Sequence, residues 1–132
     1  MKKTLIILML IFGINSFGQT SVEFYNMGLS KAKSNDYVGA IADYTKAIAL
    51  NPKYFEAFNS RGNAKNSMHD AKSAIQDLNK AIALNPEFGL AYYNRGVANF
   101  NLNQRKNACS DWKRSRELGE MDAINFISKY CK

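Results

Sequence analysis

Few side chains in this sequence of 132 residues have the chemistry for catalysis or ligand coordination. There is one histidine, His69, and there are two cysteines, Cys109 and Cys131. Three aspartates, Asp43, Asp77 and Asp111, recur at an interval of 34 residues, as do two arginines, Arg61 and Arg95. A histidine beside a second titratable group could act as a general base, and converging carboxylates could hold a metal. A Cys-x-x-Cys pair could cycle between thiol and disulfide. The sequence has no second histidine, no Cys-x-x-Cys and no glycine-rich phosphate loop, so none of these constellations is present. It implies no catalytic residue, no cofactor and no metal. The regular interval of the charges is what needs a cause.

That interval belongs to the whole chain. Residues 40–52, AIADYTKAIALNP, align with residues 74–86, AIQDLNKAIALNP, and a weaker third copy holds Ala108, Cys109, Asp111, Trp112, Lys113 and Leu118. A second register precedes each copy: Phe24-x-x-Met27-Gly28, Phe58-x-x-Arg61-Gly62 and Tyr92-x-x-Arg95-Gly96. Ala40, Ile41, Tyr44, Ala47 and Ile48 fall on one face of a 3.6-residue helix, and Ala74, Ile75, Leu78, Ala81 and Ile82 repeat that face. Glycine inside a helix costs about 1 kcal/mol against alanine. Gly28, Gly62 and Gly96 therefore imply a close helix approach, expected at Ala40, Ala74 and Ala108. Between the paired helices Asn35, His69 and Asn103 stand in register. Asparagine and histidine tolerate positive φ, so each is expected to end its helix in the left-handed region, with Asp36 and Asp70 capping the next helix. The repeat-mates of His69 cannot take a proton near neutral pH, which argues against a catalytic or metal role for it. Asn51-Pro52 and Asn85-Pro86 are expected to close the second helices in the same fashion.

These residues resemble the tetratricopeptide repeat (TPR) family, whose pattern is an aromatic, then an apolar residue and Gly, later Ala-x-x-x-aromatic, and finally Pro. The resemblance covers about residues 21 to 122 and implies an all-α protein, a right-handed α-solenoid of three helix-turn-helix units at 21–54, 55–88 and 89–122. Arg61 and Arg95 depart from the family, which usually has Leu there, and Glu120 stands where Pro52 and Pro86 stood. The family analogy places a binding groove on the first helices, drawn here from Tyr25, Leu29, Asn59, Asn63, Asn66, Tyr93, Val97 and Phe100. Its amides would hydrogen-bond an extended peptide while its aromatics hold apolar side chains; the alternative is that Tyr93 and Phe100 pack between repeats. The clamp with which some family members grip a C-terminal carboxylate needs Lys, Asn and Arg at these sites, and only Asn63 matches. A receptor for chaperone tails is disfavoured on that ground.

The ends differ from the middle. In the third copy Ser115 and Arg116 replace Ala-Ile, Gly119 offers a helix stop, and Ala123, Ile124, Phe126, Ile127 and Tyr130 form an apolar stripe. Residues 123–132 are read as a helix capping the third unit. At the other end, Lys2 and Lys3 precede an apolar run of about ten residues, too short for a bilayer span, and Ser16 and Gly18 are the small residues before an expected cut. Residues 1–18 thus read as a signal peptide of an exported, periplasmic or secreted protein, with no integral span once cleaved. In an oxidising compartment Cys109 and Cys131 read as one structural disulfide, the alternative being two buried thiols.

The charges read as internal pairs. Each Asp is expected to meet the basic residue of the following unit: Asp43 with Arg61, Asp77 with Arg95, and Asp111 with Lys129. The alternative is that the arginines bind an anionic ligand. Net charge is +7, falling to +5 without Lys2 and Lys3, and the remaining lysines are scattered, which argues against nucleic acid. The function expected is a non-enzymatic adaptor for a protein or peptide partner; the alternative is a self-associating building block, a homo-oligomer of an envelope assembly.

Overall fold

The computed structural model describes residues 20–132, and its described elements are seven helices with no strand. The expected signal peptide lies outside those residues. Helix α1 covers residues 20–33. It is followed by α2 (Tyr37–Leu50), α3 (Phe55–Ser67), α4 (Ala71–Leu84), α5 (Gly89–Asn101), α6 (Arg105–Glu117) and α7 (Ala123–Tyr130). The order is three antiparallel pairs, α1/α2, α3/α4 and α5/α6, stacked in sequence, with α7 against α6.

Local chemistry sets the tight turns. Asn35, His69 and Asn103 have φ of 61°, 62° and 59°, the left-handed conformation expected of them. Each allows a bond back across the helix end: Asp36 N to Lys31 O at 2.9 Å, Asp70 N to Lys65 O at 2.9 Å, Gln104 N to Asn99 O at 2.9 Å. Asp36 then accepts from Gly39 N at 2.9 Å and Asp70 from Ser73 N at 3.3 Å, satisfying orphan donors of α2 and α4. The wider turns between pairs work differently. Asn51 (φ −137°, ψ 90°) and Asn85 (φ −143°, ψ 91°) are extended rather than left-handed. The proline that follows disfavours any helical conformation before it. Their side chains serve the turn instead, accepting from Lys53 N and Glu87 N at 3.2 Å each.

The glycine register is explained by one large side chain per unit. A Cβ on Gly28 would sit 2.6 Å from the Tyr44 ring, one on Gly62 2.8 Å from Leu78 Cγ, and one on Gly96 2.5 Å from Trp112 Nε1. The backbone at Ala40 and Ala74, where the close approach was expected, lies farther off at 3.2 Å. Tyr44, Leu78 and Trp112 share one repeat position and are fully buried. Around them pack Ala40 and Ala64, then Ala74 and Ala98, then Ala108 and Ala123. Small residues at these contacts let the helix axes come close.

Burial pushes the Tyr44 hydroxyl up to about 12, with Tyr25 adding to the shift. Between pH 10 and 12 the unfolded chain loses this proton while the folded chain keeps it, so the contribution is complete below pH 10 and vanishes as pH rises to 12. Urea titrations across that window should show a steeper loss of stability in the parent than in Tyr44→Phe; equal slopes would discount the burial of this hydroxyl.

The third pair is closed by α7. Phe126 stacks on Trp112 at 5.0 Å and Tyr130 on Phe100 at 4.4 Å, while Ala123 is fully buried. Gly119, at φ 102°, ends α6, and Cys131 is joined to Cys109 with Cα atoms 5.6 Å apart. Ser115, in the place of an apolar residue, satisfies its hydroxyl on Gly89 O at 2.9 Å.

Candidate functional site

The acidic and basic ladders run inside the fold, in a register other than the one expected. Arg61 donates from Nε and Nη2 to both oxygens of Asp77, at 2.8 and 2.7 Å, and Arg95 does the same to Asp111, at 3.0 and 2.7 Å. Asp43 is held by Lys31 at 2.7 Å, and Lys65 adds a second cation to Asp77 at 2.8 Å. Each Asp therefore pairs within its own unit: Asp43 does not meet Arg61, Asp77 does not meet Arg95, and Asp111 meets Arg95 instead of Lys129. The reach to another unit runs backwards. Arg61 Nη1 donates to Thr45 Oγ1 at 3.1 Å and Arg95 Nη1 to Asn79 Oδ1 at 3.0 Å. Each guanidinium sits between two successive second helices, 16 residues from its partner on either side. Asp111 raises the already high pKa of Arg95 by hydrogen bonding to its charged form.

Asp77→Ala would leave two cations facing a buried gap. Their heads keep some access to water, with side-chain exposures of 17% for Arg61 and 19% for Lys65. The expected loss is about 2 kcal/mol, below that for a fully buried pair. Chemical denaturation measures it, and a change under 0.5 kcal/mol, roughly what a surface site shows, would count against the ladder.

The opposite side of the first helices forms a concave cleft of about 470 Å³. Of the eight residues expected there, Leu29, Asn59, Asn63 and Tyr93 line it. Lys33, Tyr37, Ser60, Ser67, Leu90 and Asn94 line it as well, beyond what the sequence pattern indicated. Asn63, Leu90 and Lys33 are exposed and face the cleft; Asn59 is buried and already bonded, its Oδ1 accepting from Asn94 Nδ2 at 2.9 Å.

The other four expected residues serve packing. Tyr25 stacks on Tyr54 at 4.9 Å and shares a 3.4 Å hydrogen bond with Ser60. Asn66 is buried and donates to Asn94 O at 3.0 Å. Val97 and Phe100 lie under α7 in the cluster around Trp112. Tyr93 belongs to both environments: it lines the cleft and meets Phe126 edge-on at 5.4 Å. Burial raises its hydroxyl pKa, with Asp122 adding to the shift, so the group stays a neutral donor. Mixed amides, hydroxyls and aromatic faces suit hydrogen bonding to a peptide backbone and contact with its side chains. Among the described residues there is no group of His, Cys, Asp and Glu able to hold a metal, and no helix long and apolar enough to cross a membrane.

Comparison with solved structures finds this arrangement elsewhere. The first TPR of Spaghetti (RPAP3), bound to HSP90 peptide SRMEEVD, superposes with a TM-score of 0.82 at 30% identity, covering 86% of this chain and 91% of that one. The first TPR domain of the human RPAP3 protein gives a TM-score of 0.82 at 29% identity, covering 85% and 90%. The Arabidopsis OM64 TPR domain, at 24% identity and a TM-score of 0.83 over 86% and 95%, shares the fold. No curated protein matches the sequence. The family model for the TPR repeat matches residues 28–67 and 70–103. Helix pairing, left-handed turn residues and buried repeat positions follow the same period as that match, and the chain belongs to the tetratricopeptide repeat family.

Proposed function

We propose that this chain is a non-enzymatic interaction module that binds an extended peptide of a protein partner in its concave cleft. The observation that carries this reading is the cleft itself, where exposed Asn63, Leu90 and Lys33 surround the half-buried Tyr93 face. The similar Spaghetti TPR holds a peptide ending in EEVD. Of the Lys, Asn and Arg that a terminal-carboxylate clamp would use at the groove sites, only Asn63 is matched here. Recognition then rests on backbone and apolar side chains rather than on the peptide's terminus.

A display library of peptides with free and amidated C-termini tests this. Binders should be selected irrespective of terminus, and Leu90→Asp and Asn63→Ala should each weaken them at least tenfold. Selection of free C-termini alone, or binding unmoved by both substitutions, would overturn the reading.

The proposal includes export, with cleavage after Gly18. The bonded Cys109–Cys131 pair supports an oxidising destination, since such bonds persist poorly among cytosolic reductants. N-terminal sequencing of protein recovered outside the cytoplasm should begin at Gln19; recovery of an intact Met1 terminus in the cytoplasm would refute export.

A further inference from the structure

A second cavity, of about 530 Å³, opens on the other side of α5 from the concave cleft. Arg95, Asn99 and Leu102 fall at i, i+4 and i+7 on one face of that helix, while Leu90, Tyr93 and Val97 occupy the opposite one. The walls are Lys72, Ile75 and Asn79 of α4 with Ser110 and Asp111 of α6.

Repeat-mates explain why space exists here. In the second unit Lys65 extends to Asp77, and Gln76 stands beside it in sequence. One period later these positions are Asn99 and Ser110, each two bonds shorter in reach. Asn99 keeps the hydrogen bond to the aspartate, Nδ2 to Asp111 Oδ2 at 2.9 Å, without filling the volume. The Asn99 residue is 7% exposed, and its Nδ2 is committed to Asp111.

The charge of the cavity selects among ligands. Arg95 and Asp111 neutralise each other, and Lys72, exposed on the wall, forms no ion pair among the described residues. The balance is one positive charge. The side-chain amides are each engaged at one atom, Asn79 Oδ1 by Arg95, Asn99 Nδ2 by Asp111 and Gln104 Oε1 by Asn107. That leaves the amino groups of Asn79 and Gln104 as donors and the Asn99 oxygen as an acceptor for peptide groups, while Ile75 with Leu102 supply an apolar contact. No aromatic face is present among the lining residues for a sugar or base to stack on.

We propose that this cavity binds an acidic peptide segment, one carboxylate meeting Lys72, its backbone meeting Asn79, Asn99 and Gln104, and an apolar side chain seated on Ile75 and Leu102. This site is separate from the concave cleft and does not depend on it. Amide chemical-shift titration of the disulfide-intact chain tests it with two blocked pentapeptides at millimolar concentration, Ala-Glu-Leu-Glu-Ala and Ala-Gln-Leu-Gln-Ala. The glutamate peptide should shift the amides of Asn79, Asn99, Leu102 and Ser110 and bind at least fivefold more tightly than the glutamine peptide. Lys72→Gln should erase that preference.

Asn99→Lys copies Lys65 and should weaken binding at least tenfold, and Ser110→Gln copies Gln76 and should weaken it independently. Both borrow side chains already accommodated in the second unit, and unchanged melting temperatures verify folding. A purely electrostatic surface would bind the peptide more tightly in Asn99→Lys, because the variant adds a cation. Equal or tighter binding by both variants, no shifts at these residues, or shifts confined to Asn63 and Tyr93 would overturn the proposal; the last result would leave the concave site standing.

Discussion

Trp112→Ala is expected to lower the unfolding free energy by about 4 kcal/mol, the middle of the range for removing a large aromatic from a core. The indole is fully buried and is the largest such side chain. It contacts Phe100 at 5.8 Å and Phe126 at 5.0 Å, and fills the space left by Gly96. The hole cannot close easily, because one wall is α5 backbone and the other is α7. An eight-residue helix has no stability of its own, so α7 should fray first. Urea denaturation gives the global value, and hydrogen exchange of the 123–130 amides shows the local one. Trp112→Leu, which copies Leu78 from the previous unit, should recover part of the loss. A drop below 1 kcal/mol for the alanine variant would mean that the cluster beneath α7 is not a core.

Breaking the Cys109–Cys131 bond is expected to cost about 3 kcal/mol on the chain-entropy view, given the loop it closes. The double serine variant should match reduction of the parent, and each single variant should match the double, since one cysteine alone makes no bond. Melting curves with and without reductant give the comparison. The loss should also combine less than additively with Trp112→Ala, because both act by releasing the same helix. A reductant that leaves the melting temperature unchanged would show that the bond does not stabilise the native state.

The repeat, its turns and the helix pairing were legible because each rests on chemistry within a few residues. Asn35, His69 and Asn103 are left-handed for reasons local to the turn. The ion pairs were misplaced because a period fixes spacing only to within a whole repeat: an arginine 18 residues after one aspartate is also 16 before the next. Choosing between them needs the direction in which side chains lean along paired helices. Asn51 and Asn85 were misread for a simpler reason, the proline after each overriding the asparagine's tolerance of positive φ.

Half of the expected groove was misassigned for a third reason. Helix periodicity shows which face a residue occupies and leaves open what covers that face. Val97 and Phe100 lie under α7, and Asn66 reaches Asn94 across the pair boundary. Nine further residues line the cleft, and some stand in the repeat register: Lys33 and Ser67 are 34 residues apart, as are Ser60 and Asn94, but the residue types differ from copy to copy and so did not mark them.

Helix α7 begins at Ala123, one period after Gly89, which itself begins α5 one period after Phe55 begins α3. It stands in the place of the first helix of a fourth unit. The position held by Gly28, Gly62 and Gly96 is Tyr130 here, a ring where the earlier helices leave room for their partner's largest side chain. The position of Arg61 and Arg95 is Lys129, and the residue it would reach backwards to, the counterpart of Thr45 and Asn79, is Lys113. Seating a further helix pair against α7 in the manner of the earlier units would call for a small residue at 130 and an acceptor at 113.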